Sequence, residues 1–169
     1  MKKFVLLLTT ACLAFILVAC GQKTYAGIQI DNDKYSQLTQ SKKNINTLLD
    51  TLSKYDYRNS ASANAVYRAA DKVMSTNARG LDTADKEKLD VVLDNSPHGI
   101  KGIIKDATKK QYNVDGSVAS QFHNNFQVII DTTAKAVTHS EVQADKVSSQ
   151  LNQELNVEKR LYKLGSQNE

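Results

Sequence analysis

The sequence predicts an all-α fold: a single helical bundle of five or six helices behind a short tether. Three observations carry this expectation. Apolar residues recur three, four and seven positions apart over most of the chain, cap and stop residues divide that pattern into segments, and strand-like alternation is confined to Ile28-Gln29-Ile30. No internal repeat, low-complexity tract or long Gly/Ser linker marks a second domain.

Taken in order, residues 20–30 read as a tether containing Gly27 and the extended-looking Ile28 to Ile30. Asp31 is placed to cap a long helix on which Tyr35, Leu38, Ile45, Leu48, Leu49, Leu52 and Tyr55 make one stripe. The polar run from Lys54 to Ser60 interrupts it. A second helix follows with Ala65, Val66, Ala69, Val73 and Met74 inward, and Gly80 stops it. Asp82 or Thr83 opens a third, acidic helix through Leu89, Val92 and Leu93. Ser96 as cap, with Pro97 at the first helical position, opens a fourth that sets Ile100, Ile103, Ile104 and Ala107 against Lys101, Lys105 and Lys109.

Tyr112-Asn113-Val114-Asp115-Gly116 reads as a turn. Beyond it, Val118, Phe122, Phe126, Ile129, Ile130, Thr133 and Val137 form the widest apolar face in the chain, which is expected to be core. Thr138-His139-Ser140-Glu141 has the form of a capping box and starts a last helix carrying Val142, Val147, Leu151, Leu155, Leu161 and Tyr162, with Gly165 at its end. No Gly or Pro separates these last two helices, so the count is five if they form one bent rod and six if they do not.

The first residues say where such a bundle works. Lys2 and Lys3 precede an apolar stretch from Phe4 to Val18, broken only by Thr9 and Thr10 and ending in small residues before Cys20, which are the three parts of a secretory signal. The run is shorter than the roughly 20 residues a spanning helix needs. Leu17-Val18-Ala19-Cys20 resembles the lipobox of bacterial lipoprotein precursors at every position. That resemblance, which covers residues 1–21, implies a diacylglycerol on the Cys20 sulfur and cleavage by signal peptidase II between Ala19 and Cys20. It divides the chain into a removed signal (1–19), a lipidated N-terminus and tether (20–30), the helical domain (31–165) and a polar tail (166–169).

Composition narrows the function classes. Cys12 leaves with the signal and Cys20 is acylated, so the exported domain has no thiol for a disulfide and folds on its core alone. The mature chain of about 150 residues is large enough to bury near 70% of its extended-chain surface. The formal charge of +4 falls to +2 with the loss of Lys2 and Lys3, because residues 1–19 hold no acid. A near-neutral chain gives no reason to expect nucleic acid as a partner.

No catalytic or metal motif stands out. His98, His123 and His139 form no His-x-x-x-His pair, and the Gly-x-Ser-x-Gly elbow, His-Glu-x-x-His and phosphate-loop patterns are missing. Gly99 and Gly102 follow no strand and do not read as a phosphate cradle. The chain is therefore expected to be non-enzymatic and to need no cofactor or metal.

Two patches are candidate contact surfaces. Lys101, Lys105 and Lys109 on the 97–110 segment could rest on anionic headgroups beside the anchor. The competing account sets this segment (net +3 over 98–110) against its acidic neighbour (net −3 over 82–94) as a helical hairpin, and is preferred because apolar stripes need a partner. Tyr55, Tyr57 and Arg58 are of the types enriched at protein interfaces, though core and rim packing also uses them.

The expected function is thus a lipid-anchored, extracytoplasmic binding or adaptor protein of the bacterial cell envelope, touching the membrane through Cys20 and another envelope protein through its helices. An envelope-complex accessory, a phage or plasmid exclusion factor and an immunity protein all belong to this class. The alternative is a membrane-surface-active or lipid-sensing protein using helix 97–110. The third is a cell-envelope hydrolase, which needs a cleft with converging titratable groups.

Overall fold

A computed structural model describes residues 21–166; Ala19, Cys20 and the rest of the signal segment lie outside the described residues, as do 167–169. Two strands, β1 (Gln22–Tyr25) and β2 (Ile28–Asp31), precede seven helices: α1 (Asn32–Ser53), α2 (Ser60–Asn77), α3 (Thr83–Leu93), α4 (Ile100–Lys110), α5 (Gly116–Val137), α6 (Glu141–Leu155) and α7 (Val157–Ser166). The expected all-helical body is present, with two corrections to its inventory.

The first correction concerns the tether. Residues 22–31 form an antiparallel hairpin with Tyr25 opposite Ile28 and Gln22 opposite Asp31. Its two-residue turn, Ala26 and Gly27, has both φ angles positive (52° and 72°), the combination that matches the twist of paired strands. Ile28 and Ile30 are buried against the helices. Tyr25 donates its hydroxyl to Glu154 Oε2 at 2.9 Å, where Lys42 Nζ also binds at 2.5 Å. Burial, and then the Glu154 bond, push the Tyr25 hydroxyl well above the usual tyrosine range. The hairpin is part of the domain.

The second correction is the helix count, seven among the described residues in place of five or six. The chain between Val137 and Glu141 does break, so the last two expected helices are separate. The break is capped two residues later than the sequence motif suggests: Ser140 Oγ accepts from the Gln143 amide (3.3 Å) while Gln143 Oε1 accepts from the His139 amide (3.1 Å). A further break falls at Asn156, in the left-handed region at φ 51°, ψ 43°. Asparagine tolerates that conformation without glycine, so no Gly or Pro announces it. The break rotates the following face, burying Val157, Leu161 and Leu164 while Tyr162, expected inward, is 76% exposed. Val142, also expected inward, is exposed because it falls off the stripe of Val147, Leu151 and Leu155.

Helix α5 is the centre of the molecule. Phe122, Phe126, Ile129 and Ile130 are fully buried, each contributing about 1.5–3 kcal/mol by removal from water, and all six other helices surround it directly or through one neighbour. Inside this core Asn77 Nδ2 donates to Thr133 Oγ1 at 2.5 Å, and Thr133 Oγ1 donates to the Ile129 carbonyl at 2.6 Å. The apolar stripes of α1 and α2 face each other, as the periodicity implied.

The expected α3–α4 charge hairpin is not what these two helices form. α3 lies against α5 and α4 against α2, with few direct approaches between them and no ion pair joining them among the described residues. Asp85 instead binds Lys88 Nζ (2.9 Å) and, across the core edge, Lys135 Nζ (3.3 Å), while Lys101 pairs with Asp71 of α2. Burial of apolar faces is worth more than exposed charge pairing, so Leu89 and Leu93 go to α5 and Ile100, Ile103 and Ile104 go to the shared core.

Two caps also differ from expectation. Asp31 makes no side-chain cap bond to α1 and accepts from Gln22 Nε2 (3.1 Å). Ser96 and Pro97 belong to a turn closed by the Gly99 amide donating to Ser96, and α4 starts only at Ile100 with Gly99 as its cap residue. The reason is a close approach: the Gly102 amide donates to the Asp94 carbonyl at 3.0 Å, drawing the first turn of α4 onto residues 94–96.

Asp85 is expected to make the fold sensitive to acid. The Lys88 ammonium, against the opposing effect of burial and helped by Lys135, holds its carboxyl below the usual carboxylate range. A carboxyl depressed in the folded state binds fewer protons there than when unfolded, so its contribution is complete above the unfolded pKa, about 4, and disappears as pH falls through the folded value. Asp85→Asn is expected to lose about 1–2 kcal/mol at pH 7 and to show a smaller deficit at pH 3, below the unfolded pKa, where the contribution is being lost. Urea denaturation at the two pH values checks this; an equal deficit at both would refute it.

Candidate functional site

The bundle has two poles, set by the direction of α1. At its start the Asn32 amide donates to the Gly21 carbonyl (3.2 Å), Lys34 Nζ to the Ala136 carbonyl (2.6 Å) and Gln37 Nε2 to the Arg79 carbonyl (2.7 Å). This first pole therefore gathers the root of the hairpin, the α2–α3 turn and the end of α5. Twenty-two residues of helix then run about 30 Å to the second pole. There Tyr55 and Thr108 share a hydroxyl hydrogen bond (3.0 Å) and the Tyr57 amide donates to Asn113 Oδ1 (3.2 Å).

The two patches expected from sequence meet at this second pole, with different fates. Tyr55 is a packing residue, only 8% exposed, and its burial raises the hydroxyl pKa. Tyr57 is half-buried, and the Arg58 guanidinium lies 5.3 Å from its ring centroid while Arg58 Nε sits 3.3 Å from Asp56 Oδ1. Arg58 is exposed at the corner of the pole. Lys101 is turned toward α2 by Asp71 and leaves the stripe. Lys105 and Lys109 remain exposed, side by side.

Lys105 and Lys109 line a cleft of about 450 Å³ between α4, the 95–97 turn and the first turns of α5. Pro97, Ile103 and Val118 supply apolar wall, and Asn95, Lys110, Tyr112 and Gln121 complete it with polar groups. Asp106 is the one acid of the lining, and it is already engaged: Lys110 Nζ (2.9 Å) and the Tyr112 hydroxyl (3.1 Å) both bind Oδ2. The Lys110 bond first, and then Tyr112, hold the Asp106 carboxyl below its ordinary range; burial, and then Asp106, raise the Tyr112 hydroxyl.

Lys110, Tyr112, Asn95 and Gln121 were not legible as site residues. Tyr112 joins because Gln111 adopts the left-handed conformation (φ 60°) and returns the chain, so that the Tyr112 amide donates to the Ala107 carbonyl (3.1 Å). Asn95 and Gln121 stand 26 positions apart and meet only when α4 is laid down between them.

The histidines do not converge. His98, His123 and His139 are exposed on separate segments, and among the described residues no group of three or more His, Cys, Asp or Glu could hold a metal ion. Among the same residues no helix is long and apolar enough to cross a membrane. Gly99 and Gly102 serve the close approach of α4 to residues 94–96. Ala19 and Cys20 lie outside the described residues. In comparisons with known proteins, no family pattern, curated protein or solved structure matches this chain.

Proposed function

We propose that the mature chain is a non-enzymatic, lipid-anchored binding protein on the outer face of a bacterial membrane, tethered through acyl chains on Cys20 and engaging another envelope protein. The observation that carries this reading is the polarity of the bundle relative to the lipobox. Gly21, one residue beyond Cys20, sits at the first pole, whereas the lysine cleft opens along α4 toward the second. An anchor at Cys20 thus holds the first pole at the headgroups and presents the other about 30 Å outward, within reach of a partner.

The same geometry bears on the lipid-sensing alternative. Ile100, Ile103, Ile104 and Ala107 are buried in the core, so α4 as folded has no apolar face to lay into an interface. Lys109, beside the Thr108 that bonds Tyr55, also lies at the pole remote from residue 21. Envelope-complex accessory, exclusion factor and immunity protein remain members of the proposed class.

Intact-mass and peptide analysis of the protein extracted from its membrane fraction tests the anchor. The expected product begins at Cys20 and carries a diacylglyceryl thioether there. A retained leader or a free thiol at Cys20 overturns the reading.

A further inference from the structure

The cleft beside α4 has the chemistry of a peptide site. We propose that it docks an acidic, partly apolar segment of a partner protein, whose carboxylates pair with Lys105 and Lys109 while an apolar side chain rests on Ile103 and Val118. This deepens the reading of the chain as a binding protein and rests on it.

Charge is the first argument. Lys105 and Lys109 are one helical turn apart on the same face, about 6 Å along the axis, and among the described residues neither takes part in a salt bridge. Like charges at this spacing repel, and the fold makes little use of them: Lys109 adds a through-space attraction to Asp106, which Lys110 already holds directly. Their neighbours show the contrast: Lys101, one turn earlier, is held by Asp71, and Lys110 is held by Asp106. With Asp106 already satisfied by Lys110 and Tyr112, the unmatched charge of the cleft is positive.

Lining chemistry separates a peptide from a bare phosphate. The apolar wall would be wasted on an inorganic anion, whereas it suits a peptide's side chain. Asn95 and Gln121 are exposed at the rim with carboxamides that no hydrogen bond engages, each offering a donor and an acceptor to a peptide backbone. A volume of about 450 Å³ is of small-site size and takes a few residues of extended chain. The distance from residue 21 argues against headgroups of the anchoring bilayer as the source of the anion.

Full-length protein, purified from membranes in non-ionic detergent, can be titrated with a fluorescein-labelled hexapeptide alternating glutamate and leucine and followed by anisotropy. Saturable binding is expected, weakening as salt shortens the screening length, and a peptide alternating glutamine and leucine should not bind. The double variant Lys105→Glu/Lys109→Glu should bind at least tenfold more weakly, and Lys101→Gln within twofold of wild type, both with unchanged thermal midpoints by circular dichroism. Absence of saturable binding, equal binding by the double variant, or equal binding of the neutral peptide would overturn the proposal. So would displacement by millimolar inorganic phosphate or by mixed micelles of phosphatidylglycerol, which would assign the cleft to phosphate or to lipid. Failure of the titration in protein shown to be acylated at Cys20 removes this site and leaves the anchored reading standing; an unmodified Cys20 does the reverse.

Discussion

Gly102→Ala is expected to destabilise the fold by about 3 kcal/mol or more, the upper range for forcing a group into filled space. A Cβ at this position would lie 1.8 Å from the Ser96 carbonyl oxygen, 2.6 Å from its carbon and 2.8 Å from the Asn95 oxygen. These are backbone atoms and cannot rotate aside. Relief requires the first turn of α4 to lift from the 94–96 turn, which breaks the Gly102 amide bond to Asp94 and draws Ile103 and Ile104 from the core. Gly21→Ala is the matched control, since its Cβ would meet nothing within 4 Å. Urea unfolding midpoints measure both. A Gly102→Ala loss below about 0.5 kcal/mol, the size of an ordinary surface change, would mean that α4 does not approach the turn this closely.

Cys20→Ser is expected to remove membrane-lipid attachment completely. A serine oxygen cannot form the thioether, so a metabolically supplied palmitate analogue should label the wild type and leave the variant at background. Cys12→Ser should keep the label, because the chain's other cysteine lies within the segment that the proposed processing removes. The size of the effect follows from chain burial: each buried CH₂ is worth about 0.8 kcal/mol, so one acyl chain holds a protein marginally and two hold it stably. A high-salt wash gives a second readout. An acyl-anchored protein stays with the membrane, whereas attachment through Lys105 and Lys109 alone would be screened away. Labelling of Cys20→Ser, or release of wild type by salt, would refute the anchor.

Legibility from sequence varied with how local the signal is. The face of α5 was readable because Phe122, Phe126, Ile129 and Ile130 repeat within one helix, and any neighbour would be covered by the same side. The hairpin was half readable: Ile28 and Ile30 alternate, but their burial depends on α1 being in place beside both strands. The cap of α6 was located to within two residues, since Thr138 and Ser140 are both eligible and only the packing of Val147 and Leu151 chooses between them. The α3–α4 pairing was misread because charge complementarity was weighed between sequence neighbours, while the apolar stripes had better partners in α5 and α2. Two of the cleft's three lysines, Lys105 and Lys109, were visible as part of a stripe, yet that Asp71 draws Lys101 out of that stripe could not be read from α4.

By itself the sequence determined the resemblance to a lipobox, the helical periods, most breaks and which residues of each helix are apolar, because those properties reside in consecutive residues and act through local geometry. The tertiary structure alone decided that the tether folds back as a hairpin, that Asn156 turns the chain into a seventh helix, that α3 and α4 part company, and that Lys105, Lys109, Asn95 and Gln121 border one cleft. Apolar burial is non-directional, so a stripe states that a face will be covered and leaves its partner open until all the faces compete at once.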